Sequence, residues 1–371
     1  MPRWSKRLLI PSLLGIFLTV CHAAPVVPKP DPREEKLLRE RRDYLRNVLV
    51  QRQDSFKAGR VTAEVVLDAH RALFLAELEL TPKPADRATL CDDFARQVAR
   101  GQDAIEGAYK AGRLTELEYA RGIAGCREDE LLILRQKSAR GADRDAAARI
   151  PDMLRSRRDA WQTALQKVQA ELDAGRRSPG AEELGLLNAT LRARLEDAEK
   201  PEERLRILQQ QLDRLTRIKE IVDIQFDAGR VTPADPLQAR GALLAVQIAL
   251  AREKPAGDTP PEKLAAWRDE QRKAGQELVE VRYRQYDAGR LAFTVLLTTL
   301  EERLRTELAA ADKADERIAL LKASLAEVKK IEEAAKIRME SSFIPQADYE
   351  TICAVRLEAQ VRLLRAERDR K

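Results

Sequence analysis

One phrase recurs along this chain: an aromatic or large apolar residue, one spacer, then Ala-Gly-Arg. It stands at Phe56–Arg60, Tyr109–Arg113, Leu172–Arg176, Phe226–Arg230 and Tyr286–Arg290, with a decayed sixth copy at Met339–Phe343 in which Ser342 takes the glycine's place. Self-similarity at a spacing of this size marks a repeat architecture, so the phrase constrains the fold more than composition does. Glycine supplies the left-handed residue that ends a helix, and the alanine before it favours helix up to that point. The residues after each phrase read as a new helix start. Thr115-Glu-Leu-Glu118 is a capping box, Thr232-Pro233-Ala-Asp235 places proline first and an acid third, Ser178-Pro179 repeats the order of cap and proline, and Thr62 stands before Glu64. Each phrase is therefore the joint of a helical hairpin, turned by Gly59, Gly112, Gly175, Gly229 and Gly289.

The segments between joints carry heptad-like spacing. Val66, Ala69, Leu73, Ala76 and Leu80 step by alternating threes and fours, as do Leu205, Leu208, Leu212 and Leu215, and Ile318, Leu321, Leu325 and Val328. Such seams belong to nearly antiparallel helices. No stretch alternates with period two, and aromatic residues make up only 4% of the chain. The sequence predicts an all-α protein of six antiparallel hairpins, about twelve helices.

Spacing between the turn residues adds a second level of order. Taking Ser342 as the sixth, the intervals are 53, 63, 54, 60 and 53, so short and long gaps alternate. The residue six places after each turn alternates too: Val65, Ala181 and Val295 in the first hairpin of each pair, Glu118, Asp235 and Asp348 in the second. Connections within pairs are short, at Pro82-Lys-Pro84, Lys200-Pro201 and Asp312-Lys313, while those from Ser138 to Pro151 and Lys254 to Pro261 are longer and richer in breakers. Three consecutive four-helix, coiled-coil-like bundles are expected, over residues 32–138, 150–253 and 260–371, each long enough to bury a core.

Residues 1–24 read as a secretory signal. Arg3, Lys6 and Arg7 precede an apolar run of 13 residues from Leu8 to Val20, too short for a bilayer helix of about 20. Cleavage is expected after Ala23; the rival is a lipid on Cys21, behind Leu18-Thr19-Val20. Removing the signal leaves 64 Lys+Arg against 61 Asp+Glu, a balance that reads as solvated helix faces and argues against nucleic-acid binding. The mature chain keeps Cys91, Cys126 and Cys353, an odd count that argues against a disulfide framework, and a single histidine, His70. That leaves almost no material for metal clusters, Ser-His-Asp triads or Cys-His dyads. No cofactor motif is present.

The repeated Arg60, Arg113, Arg176, Arg230 and Arg290 are the most pointed candidates for function. A cation at a helix C-terminus complements the macrodipole and bonds the last free carbonyls. The alternative is that these arginines present an anion or partner contact at one end of the bundles. Glu118, Asp235 and Asp348 sit in first turns, where acids cap helices, and they belong to separate units. His70 flanks the seam residue Ala69. Trp161 and Trp267 stand at different offsets from their joints and form no repeated platform.

The phrase Phe226-Asp-Ala-Gly-Arg-Val-Thr-Pro-Ala-Asp235-Pro-Leu237-Gln-Ala-Arg240, followed by Leu243, Leu244 and Ala251, resembles the helical-hairpin repeat of TolC-like outer-membrane efflux proteins. There an aromatic-x-Ala-Gly element precedes an Asp-x-Leu-x-Ala helix. The likeness covers about 25 residues per repeat and is looser at Phe56 and Tyr109. In that family a protomer pairs two repeats, trimerises into a periplasmic tunnel and inserts β-hairpins in the outer membrane. This chain has three pairs and no segment that supplies barrel strands.

The sequence points to an exported, non-enzymatic helical-repeat protein of the bacterial cell envelope, periplasmic or outer-membrane-associated. It is expected to act as scaffold, spacer or partner-binding module, meeting other envelope proteins through amphipathic helix faces. Membrane contact is expected only peripherally or through a lipid on Cys21. The resemblance implies an alternative, a component of an efflux or secretion assembly.

Overall fold

The computed structural model describes residues 31–139, 144–173, 181–255, 258–311 and 313–370, so the signal segment and the joint at Gly175-Arg176 lie outside it. Twelve helices and no strand occur among the described residues. They are α1 (Pro32–Lys57), α2 (Ala63–Leu80), α3 (Pro84–Lys110), α4 (Glu116–Ser138), α5 (Arg144–Asp173), α6 (Ala181–Asp197), α7 (Pro201–Asp227), α8 (Ala234–Glu253), α9 (Pro261–Asp287), α10 (Phe293–Ala310), α11 (Ala314–Glu340) and α12 (Gln346–Asp369).

The joints close by one backbone device. At the first, Gly59 N–H donates to Phe56 O at 2.9 Å and Arg60 N–H to Ser55 O at 2.8 Å, the paired bonds of a Schellman stop. The same pair recurs after α3, α7, α9 and α11. It requires a left-handed residue: φ is 68° at Gly59, 67° at Gly112 and Gly229, and 69° at Gly289. Ser342 in the decayed copy keeps the geometry with φ 60°, alone among the described non-glycine residues. Of the expected starts, Thr115 and Glu118 form the full capping box, and the Asp235 carboxylate accepts from Thr232 N–H at 2.8 Å. Thr62 makes no side-chain cap bond. Asp348 does not cap α12 but pairs with Arg52 of α1.

The packing differs from three self-contained bundles. Among the described residues α1 makes no seam with α4, α5 none with α8, and α9 none with α12. Each helix packs instead on its two neighbours in sequence, and α12 packs on α1, so the twelve close into a ring. The threefold order survives as three open arcs of four helices. Among the described residues the α4–α5 and α12–α1 seams, which join one arc to the next, are the most extensive, whereas α6–α7 and α10–α11, inside arcs, are the least among helices adjacent in sequence. A bundle closes by burying its first helix on its last. Here the outer flank of each arc finds more complementary surface on the next arc.

Odd- and even-numbered helices occupy different layers. α1, α3, α7 and α11 each bury one stripe at heptad spacing, as with Leu38, Arg41, Leu45 and Val48 in α1. The even helices are buried or half-buried nearly all round; in α4 only Glu116 and Glu118 are exposed. An odd helix therefore lies outside, in the groove between two even ones. The inner helices meet one another through ion pairs. Arg71 of α2 reaches Asp129 of α4, Arg365 of α12 reaches Glu79 of α2 at 2.7 Å, and Arg362 of α12 reaches Glu301 of α10 at 2.8 Å.

The apolar core falls into four clusters. One runs through α5–α8 and takes in Leu117 and Ala120 of α4; another spans α9–α12; a third joins α2–α4; and the fourth closes the ring with Leu45, Val48 and Leu49 of α1, Leu73 of α2 and Ala354 of α12. No described helix is long and apolar enough to cross a membrane.

Candidate docking surface

Neighbouring helices run antiparallel, as Arg52 with Asp348 and Glu34 with Arg365 record along α1 and α12. The joints after α1, α3, α7, α9 and α11 consequently gather at one end of the ring, and the inter-hairpin connections at the other. This joint end carries the features that the helix packing leaves unexplained.

Every exposed large hydrophobic side chain among the described residues lies in the last third of an outer helix or in a joint. They are Val50 and Phe56, Ile221, Ile224 and Phe226, Tyr283, Ile337 and Phe343. Ile224, Ile337 and Phe343 are 69%, 66% and 81% exposed, too open to count as edges of the core. Isolated exposed apolar residues are ordinary, but here the set is confined to one end of the outer helices. Ile224 and Ile337 each stand five residues before the left-handed residue of their joint. That coincidence was present in the sequence, but it lies off the heptad stripe and so escapes a reading by stripes.

The joint arginines contribute differently from the expectation. Arg60, Arg113, Arg230 and Arg290 use their backbone N–H in the Schellman bond, their side chains are exposed, and among the described residues those side chains form no hydrogen bond or ion pair. Arg176 lies outside the described residues. The role foreseen for them at the helix C-terminus belongs to Arg338 of α11, which donates to Tyr286 O at 2.8 Å and Asp287 O at 2.7 Å, the last carbonyls of α9. Its guanidinium also lies 4.1 Å from the centroid of the Tyr286 ring. The joint aromatics diverge accordingly. Tyr286 is buried beneath Arg338, Tyr109 stacks on Tyr119 at 4.4 Å, and Phe56 and Phe226 remain exposed. Apolar and cationic groups thus alternate on this rim, with Asp54, Asp227 and Asp287 among them.

The other candidate groups are held inside the packing. His70 accepts from the Gln53 side-chain amide at 3.2 Å across the α1–α2 seam, and burial lowers its pKa, favouring the neutral ring. Cys91, Cys126 and Cys353 are free and buried, and burial pushes the thiol of Cys126 up to about 12 and that of Cys353 to about 11. Such thiols are poor nucleophiles. Trp161 donates to Glu128 at 2.9 Å and ties α5 to α4. A cleft of about 460 Å³ between α5, α6 and α7 is lined by Arg158, Asp159, Gln162, Arg194, Asp197 and Glu203, and one of about 440 Å³ between α1, α2 and α3 mixes Arg42, Arg46, Glu77 and Asp86 with Leu80, Pro82 and Leu90. Among the described residues no group of three or more His, Cys, Asp or Glu is arranged to hold a metal ion.

In comparisons with known proteins, no family model, no curated protein and no solved structure matches this chain.

Proposed function

We propose that the chain is an exported, non-enzymatic scaffold of the cell envelope that docks a partner protein on its joint end. The observation that carries this reading is the confinement of the exposed large hydrophobics to that end, beside Arg60, Arg113, Arg230 and Arg290, which no acid among the described residues engages. A surface of this kind suits a partner offering apolar side chains flanked by carboxylates, such as the end of another helical hairpin. Photo-crosslinking residues placed at Phe226 and Phe343 should each give one discrete protein adduct in intact cells, and one placed at Thr89 near the opposite end should give none. Equal labelling from both ends, or none from the joint end, would refute the reading.

A second reading rests on the number of helices. In the TolC-like family three protomers of four helices each build a tunnel, and here one chain closes twelve helices in a threefold order. The protein is then a single-chain counterpart of such a tunnel within an efflux or secretion assembly. It should sediment as a monomer and co-purify with an inner-membrane pump or its adaptor; a stable trimer would contradict it.

A further inference from the structure

The α6–α7 seam is one of the two least extensive between helices adjacent in sequence, and the cleft of about 460 Å³ lies beside it, against α5. Its charged groups are unequally used by the fold. Arg158 of α5 engages two of the acids, donating through Nε to Asp159 at 2.9 Å and through Nη1 to Asp197 of α6. Glu203 of α7 lies 3.9 Å from Arg206. Arg194, three residues before Asp197 on α6, has no carboxylate. Among the described residues its guanidinium donates only to Gln210 Oε1 of α7, at 2.9 Å. Nε2 of Gln210 and the exposed side chain of Gln162, both in the same lining, form no hydrogen bond among those residues.

Burial lowers the pKa of Arg194, and the charges of Arg206 and Arg158 lower it further, against Glu203. Arginine keeps its proton, so the unmet guanidinium N–H groups call for an acceptor from outside the chain. A carboxylate matches the guanidinium fork, and the two amides add donors beside it. A phosphate dianion suits the cleft poorly, because Asp159, Asp197 and Glu203 line it too. Those acids offer a second pole instead. Among the described residues Asp159 Oδ2 and Asp197 Oδ1 accept no bond, so both remain open to an ammonium group. Ile207, buried in the same lining, supplies an apolar floor. The volume lies in the range of small-molecule sites, roughly 300–1,000 Å³.

We propose that this cleft binds a small zwitterion of the α-amino-acid class. Its carboxylate meets Arg194 and the amides of Gln162 and Gln210, its ammonium meets Asp159 and Asp197, and its side chain lies over Ile207. This goes beyond partner docking, because the cleft lies toward the α6–α7 connection, at the end opposite the joints, and binding there needs no partner protein.

Ligand-observed NMR titrations of the mature chain at constant ionic strength test the site, with L-leucine and L-glutamine as probes. At least one should bind saturably, with Kd of about 1 mM or lower. For the better probe, Arg194→Gln should weaken binding about tenfold or more, since it removes the charged fork. Gln162→Ala should weaken it roughly threefold, and its exposed side chain makes no bond whose loss could unfold the chain. Lys329→Gln, on an exposed position of α11, should leave it unchanged. The single-pole analogues of leucine, 4-methylpentanoate and 3-methylbutylamine, should each bind at least about fivefold more weakly than leucine if leucine binds. No saturable binding of either amino acid, or affinity unchanged in both Arg194→Gln and Gln162→Ala, would overturn the proposal. So would 4-methylpentanoate binding as tightly as leucine, which would remove the ammonium pole.

Discussion

Ser342 holds a backbone angle that every other described joint gives to glycine. A side chain in the left-handed region costs about 1–2 kcal/mol, and here nothing in the packing offsets it. The change Ser342→Gly should therefore stabilise the protein by about 0.5–1 kcal/mol, read as a rise in Tm. At Gly229 a Cβ meets no atom within 4 Å, so the penalty for Gly229→Val is one of backbone alone, about 1 kcal/mol or more. Equal shifts for Gly229→Val and Ser342→Val would contradict a shared left-handed stop. A second residue reports through pH. Burial lifts the Asp129 carboxyl to about 6 although Arg71 lies against it. Between pH about 4 and about 6 the folded state keeps a proton that the unfolded chain has released, so this group's contribution to stability falls as pH rises through that window. The difference in Tm between wild type and Asp129→Asn should move against wild type from pH 4 to 6 and level off above it. A difference that is constant across the window would show that Asp129 titrates as an ordinary carboxylate.

Along single elements, helix α3 allows a clean comparison. Gly107 is exposed and helical, and a Cβ there meets nothing within 4 Å, whereas one at Gly101 would come within 2.6 Å of the Leu67 side chain. Leu67 is buried in the α2–α4 cluster and has little freedom to yield. Gly107→Ala should raise stability by about 0.5–1 kcal/mol through helix propensity, and Gly101→Ala should lower it by about 1–3 kcal/mol through overpacking. Chemical denaturation of the two variants gives both signs; a shared sign would mean that α2 and α3 do not cross at Gly101. Elements of this kind were legible in the sequence because their signals are local. The Ala-Gly-Arg phrase places four of the described joints, and even the decayed copy at Ser342 keeps the bond pattern. The roles of Arg338 and Asp348 were not legible. Each acts on a different helix, Arg338 on the end of α9 and Asp348 on α1, and no spacing within one hairpin encodes a partner on another. The rim of Ile224, Ile337 and Phe343 escaped for a related reason: heptad spacing picks out residues that pack, and these do not.

For the whole molecule, the alternating intervals disclosed a threefold order but not how the arcs meet, because closure joins residues more than 300 apart in sequence, as Glu34 with Arg365 and Arg368. Those pairs, at 2.7 and 3.0 Å, bring the two ends of the described chain together at the connection end of the ring. The carboxyl of Glu34 is almost wholly buried there, and Arg41 continues the seam to Glu358 at 2.6 Å. In a row of bundles the chain ends would lie at opposite extremes, and α1 and α12 would each keep one unpaired flank. A ring has no such ends, so the position of the chain break should be nearly immaterial to stability. A circular permutant that begins at Asp258, joins Arg370 to Asp31 through a Gly/Ser linker of about eight residues, and ends at Lys254 retains every helix–helix seam. Its helical content by circular dichroism should match the parent, and its Tm should lie within a few degrees. Deleting α12 instead removes the seams to both α1 and α11, and should cost far more. A permutant that unfolds, or a chain lacking α12 that melts with the parent, would mean that α1 and α12 do not close the ring in solution.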